Sequence, residues 1–75
     1  MTDDINNPSH YTNGIETADY IFSWEMDFFE GNVIKYVTRA PYKGTELKDL
    51  KKARWYLARL IERAEQREML PDEYK

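Results

Sequence analysis

Asn32, Lys35, Tyr36 and Arg39 stand at i, i+3, i+4 and i+7, a spacing that sets an amide, an ammonium, a phenol and a guanidinium along one helical stripe. Together these groups suit a phosphate joined to a base. Lysine supplies a point charge, arginine a two-pronged donor, asparagine a donor and an acceptor, and tyrosine a face for stacking. A second stripe repeats the theme: Asp49, Lys52, Tyr56 and Arg59 follow one another by steps of three and four, with Lys48, Lys51 and Trp55 beside them. The plainer reading of both stripes is a solvated polar face with aromatics at the core edge. Under that reading Asp49 and Lys52 form a surface ion pair. Repetition favours a ligand, because two helices that each carry Lys, Tyr and Arg can share one anion if a turn folds them together.

His10-Tyr11 is a third feature, in a polar stretch ahead of the Asn13-Gly14 turn signal. A lone loop histidine is commonly incidental, yet this pair is placed to cover a base or reach a phosphate from outside the helices. Glu16 and Asp19 suit the first turn of a helix, and can equally accept from a base edge or a ribose hydroxyl. The phosphate-cradling patterns GxxxxGK[ST] and GxGxxG do not occur. With one histidine and no cysteine, no nucleophile, base and orienting group can be assembled, so no catalytic residue is assigned. For the same reason no metal site and no cofactor are expected.

Charge is distributed unevenly. Residues 1–34 hold seven acids and no base, for −7; residues 35–59 hold eight bases and two acids, for +6; residues 60–75 return to −2, and the total is −3. The positive section coincides with the two stripes. The net negative charge and the flanking acids speak against duplex nucleic acid as partner. No apolar run approaches the roughly 20 residues of a membrane span. The acidic, polar opening MTDDINNPSH is unlike a signal peptide, so a cytoplasmic protein is expected.

Three helices are predicted to carry these residues, within a single domain over 1–75. Residues 1–13, rich in Asn, Asp, Ser and Thr, read as an extended arm. Apolar positions repeating from Ile15 predict a helix over about 14–26, with Thr12 or Asn13 as its cap. A second helix over about 28–40 ends at Ala40-Pro41, and Gly31 within it implies a close approach. Tyr42-Lys43-Gly44 is a tight connection. A third helix over about 45–69 opens at Thr45 and carries a seam of Leu47, Leu50, Ala53, Leu57, Leu60 or Ile61, and Ala64. That helix is longer than the other two can cover, and a 75-residue chain makes a marginal core alone. A homo-oligomer is therefore expected.

The stretches NPSHYTNGIETADYI, GNVIKYVTRAPYKG and DLKKARWYLARLIE resemble the small SaV-like domain of unknown function found in tailed bacteriophages. That family's pattern runs P-x-H-Y-x-x-G-I-E-x-x-D, then G-N-x-I-K-Y-x-x-R, then D-L-x-K-A-x-x-Y-L. The likeness extends from about Pro8 to Leu60 and lapses over Ser23 to Phe29 and beyond Glu62. Some longer phage proteins with such a domain resemble a nucleotide kinase lacking the standard phosphate loop. Small phage proteins of similar size act as sponges for cyclic nucleotides made in host defence. The resemblance thus implies a nucleotide ligand and the infected host cell as setting. Carried over residue by residue, it implies His10, Tyr11, Gly14, Glu16, Asp19, Asn32, Lys35, Tyr36, Arg39, Lys43, Asp49, Lys52 and Tyr56.

From these the expected ligand-binding set is His10, Tyr11, Glu16, Asn32, Lys35, Tyr36, Arg39, Lys43, Lys52 and Tyr56. The expected function is non-catalytic sequestration of a cyclic di- or oligonucleotide immune signal. A deoxynucleoside monophosphate kinase, or a helical module that inhibits a host protein, are the alternatives.

Overall fold

The computed structural model describes residues 14–74. Three helices follow in order, α1 (Thr17–Ser23), α2 (Phe28–Arg39) and α3 (Glu46–Glu68), with 3-10 turns at Ala40–Tyr42 and Asp72–Tyr74. No strand occurs among the described residues, so the all-α, three-helix architecture agrees with the sequence. The predicted arm, with His10, Tyr11 and the cap at Thr12 or Asn13, lies outside the described residues.

The first helix is shorter than its apolar spacing suggests, seven residues long. Its ends explain why. Gly14 has a left-handed φ of +80°, and Glu16 enters the helix from extended backbone at φ −59° and ψ 134°. At the other end Glu25 adopts a φ of 53°. The N–H of Glu25 bonds to the Phe22 carbonyl at 3.0 Å, and that of Met26 reaches the Ile21 carbonyl at 3.2 Å. This paired closure is the Schellman arrangement, with glutamate where glycine is favoured.

The α2 helix starts where expected, by a device the sequence reading missed. Asp27 accepts from the N–H of Glu30 at 2.8 Å, and the Asp27 N–H donates to Glu30 Oε1 at 2.9 Å. Each side chain thus satisfies a backbone donor the helix leaves open. Arg63 of α3 donates to the same Asp27 carboxylate at 2.9 Å, which joins the start of α2 to the distal half of α3. Pro41 stands inside the 3-10 turn that reverses the chain, and Gly44 follows at φ +77°.

Thr45 occupies the N-cap position of α3 without a capping side-chain bond. Its hydroxyl donates instead to Asp49 Oδ2 at 3.1 Å. Asp49 is buried, with 2% of its surface exposed. The surface ion pair expected between Asp49 and Lys52 is therefore absent among the described residues; the carboxylate turns inward to Thr45 because it lies on the face α3 presents to α2. The two helices pack closely along this face, where Ala53 and Ala40 are buried. Gly31 is buried where α1 crosses α2. A Cβ on Gly31 would meet Ile21 Cγ2 at 3.1 Å, so the close approach implied by this glycine is real.

The seam predicted for α3 is only partly used. Ala53 is buried and Leu60 and Ala64 are half-buried, whereas Leu47, Leu50, Leu57 and Ile61 stay largely exposed.

Candidate functional site

Antiparallel packing of α2 on α3 brings the two stripes together around a pair of rings. Tyr36 of α2 and Tyr56 of α3 stack with centroids 6.0 Å apart and planes 14° from parallel. Lys35 Nζ lies 4.7 Å from the Tyr36 centroid, and Lys52 Nζ, from the other helix, lies 5.2 Å from it. Both ammoniums sit at the distance where a ring quadrupole attracts a cation. Two lysines from different helices therefore converge on one aromatic ring.

The ring cluster extends outward from Tyr56. Phe28 and Phe29 meet it edge-on at 5.7 and 5.9 Å, and Trp55 does so at 5.1 Å. Trp55 is 54% exposed and carries the Arg59 guanidinium 4.7 Å above its ring. Arg59 is also clamped by Glu62 through two bonds, at 3.1 and 3.0 Å. The hydrogen bond from Arg59, reinforced by its charge, holds the Glu62 carboxyl below its ordinary value, and Glu62 in turn raises Arg59. Beside this pair runs an open groove of about 670 Å³ lined by Leu47, Lys48, Lys51, Lys52 and Trp55.

Arg59 is thus already neutralised, but its lysine neighbours are not. Among the described residues Lys35, Arg39, Lys48, Lys51 and Lys52 take part in no ion pair. Uncompensated ammoniums beside exposed ring faces can attract an anion that carries an aromatic group, one part held by charge and the other by stacking.

The expected residues divide into four groups. Lys35, Tyr36, Lys52 and Tyr56 come together. Asn32 lies on the same stripe, but its amide nitrogen is occupied, donating to the Phe28 carbonyl at 2.8 Å. Glu16 precedes α1, Arg39 ends α2, and Lys43 follows the 3-10 turn; no side-chain interaction ties these three to the ring pair among the described residues. His10 and Tyr11 lie outside the described residues. Lys48, Lys51 and Trp55, which the sequence reading sets beside the second stripe, and Arg59, which it sets on that stripe but outside the binding set, complete the face. Their helical spacing relative to Lys52 and Tyr56 was the available signal.

The described residues hold no group of three or more His, Asp or Glu side chains able to bind a metal ion. No described helix is long and apolar enough to cross a membrane.

Comparison with known proteins yields one family. No curated protein and no solved structure matches the chain. A family model described as a protein of unknown function, DUF3310, matches residues 5–58, a span that takes in both stripes and the turn between them, and the chain belongs to that family.

Proposed function

We propose that this protein binds a nucleotide on the face built by α2 and α3, and that it sequesters the ligand without transforming it. The observation that carries the reading is the meeting of Lys35 and Lys52, from separate helices, at the Tyr36 ring. In this reading the lysines release the ring to a base and take the phosphate. Tyr36 and Trp55 supply stacking surface, and Lys48 extends the positive potential along the groove. A ligand with two phosphates and two bases matches a face with several cations and rings better than a mononucleotide does. A cyclic di- or oligonucleotide signal of host defence is thus the favoured class, and the resemblance to phage proteins supports that setting.

Titration calorimetry with a panel of mono-, di- and cyclic nucleotides tests the proposal. Charge-assisted contacts contribute about 1.5–3 kcal/mol each, so Lys52→Ala and Lys35→Ala should each weaken binding on the order of 10- to 100-fold. The ligand should be recovered unchanged. Absence of binding across the panel would overturn the reading. Diphosphate formation from ATP, Mg²⁺ and a deoxynucleoside monophosphate, lost in Lys52→Ala, would replace sequestration by phosphoryl transfer.

A further inference from the structure

The α3 helix offers two apolar seams, and α2 covers only one of them. The covered seam contains Ala53, Leu60 and Ala64. The second runs Leu47, Leu50, Arg54, Leu57 and Ile61 in alternating steps of three and four, the spacing that keeps a stripe facing a partner helix, and meets the covered seam at Ala64. Its aliphatic members are open to solvent: Leu47 is 66% exposed, Leu50 41%, Leu57 45% and Ile61 49%. At 100° per residue this seam lies on the far side of α3 from Lys52 and Trp55.

The charges beside the seam identify what covers it. On its outer flank, at seven-residue intervals, stand Lys51, Ala58 and Glu65. Two copies of α3 laid antiparallel in the register that sets Leu57 against Ile61 of the second copy also bring Lys51 opposite Glu65. By symmetry each of these pairs occurs twice. Ala58 then meets its own copy across the axis and lets the helices approach. Arg54, the one charged residue central in the seam, faces the small Ala64 and can extend its stem past it to solvent. A parallel pair would instead set Arg54 on Arg54 at the centre of the seam.

We infer that this protein self-associates through an antiparallel α3–α3 pair, with Leu57 and Ile61 at its centre and Lys51–Glu65 bonds at its edges. Lys52 and Trp55 lie on the far side of α3 from this contact, which takes up only the Leu47 and Lys51 edge of the groove.

Sedimentation equilibrium over a dilution series, with circular dichroism to follow the fold, tests the pairing. The wild type should be a dimer or an even-numbered assembly. Leu57→Glu should keep its helical spectrum and raise the dissociation constant about 100-fold or more, because two-fold symmetry applies the change twice. Lys51→Glu and Glu65→Lys should each weaken association, whereas the double variant restores the pairing and should return it toward the wild-type value. A wild type that stays monomeric, or a double variant no better than the singles, would overturn the inference. Nucleotide binding is a separate readout: Lys52→Ala should lose ligand and remain associated, so failure of one proposal is distinguishable from failure of the other.

Discussion

Arg63, late in α3, donates to Asp27 at the start of α2, with Nη2 2.9 Å from Oδ2, while the same carboxylate caps α2 through the Glu30 N–H. One side chain thus begins a helix and docks a second one 36 residues away. The Arg63 guanidinium also lies 5.2 Å from the Phe29 ring centroid, so it joins the aromatic cluster to the cap.

Acid should loosen this junction. The Glu30 backbone bond, followed by Arg63, holds the Asp27 carboxyl below its ordinary value of 3.8. A group depressed in the folded state adds stability that is complete above its unfolded value and lost as pH falls through the folded one. Thermal melts of wild type and Asp27→Asn should therefore differ at neutral pH, with wild type higher. The two curves should converge as pH drops below 3.8. A gap that persists at the acid end would contradict this.

Tyr56 touches Phe28, Phe29, Tyr36 and Trp55, and the ring cluster should fail without it. Tyr56→Ala is expected to cost roughly 2–3 kcal/mol, below the range for a fully buried aromatic because this ring is half-buried. Tyr56→Phe keeps the ring and should fold nearly as well as wild type. Urea denaturation followed by tryptophan fluorescence separates the two.

Glu25 holds a left-handed backbone at φ 53°, where a side chain costs about 1–2 kcal/mol and glycine nothing. Glu25→Gly should therefore stabilise the protein, against the usual direction for a glycine substitution. A gain near 1 kcal/mol would raise Tm by about 4–8 °C in a domain of this size. Calorimetry checks it, and a lower Tm would mean that the Glu25 side chain contributes more than its left-handed backbone costs.

Thr45 is the hydroxyl donor to a buried carboxylate. Thr45→Val should leave Asp49 without that bond and cost about 1–3 kcal/mol. Thr45→Ser should be milder, since it keeps the donor. Chemical denaturation of both variants reads the difference directly.

Much of this architecture was legible in the residue order. Ala40-Pro41 ended α2, Gly31 announced a tight crossing, and the Lys, Tyr and Arg spacings selected the pair of rings that meet. Periodicity failed at α1, since it counts apolar positions and cannot see that Gly14 and Glu25 take left-handed backbone. It also assigned Asp49 to the surface: a charged residue reads as solvated unless the helix face it occupies is known. The Asp27–Glu30 box is written as Asp-Phe-Phe-Glu, with aspartate where the usual pattern has Ser or Thr. Trp55 stands next to the second stripe and Arg59 on it, but only the crossing of α2 on α3 decides which neighbours share a face.

The seating of Ile21 over Gly31 gives α1 the character of a detachable clip. Seven residues are too few to remain helical in water unaided, and α1 is held chiefly through its crossing of α2. Its amide protons should exchange through local opening while those of the α2–α3 hairpin stay protected. A leucine at position 31 would unfasten the clip without undoing the hairpin beneath it.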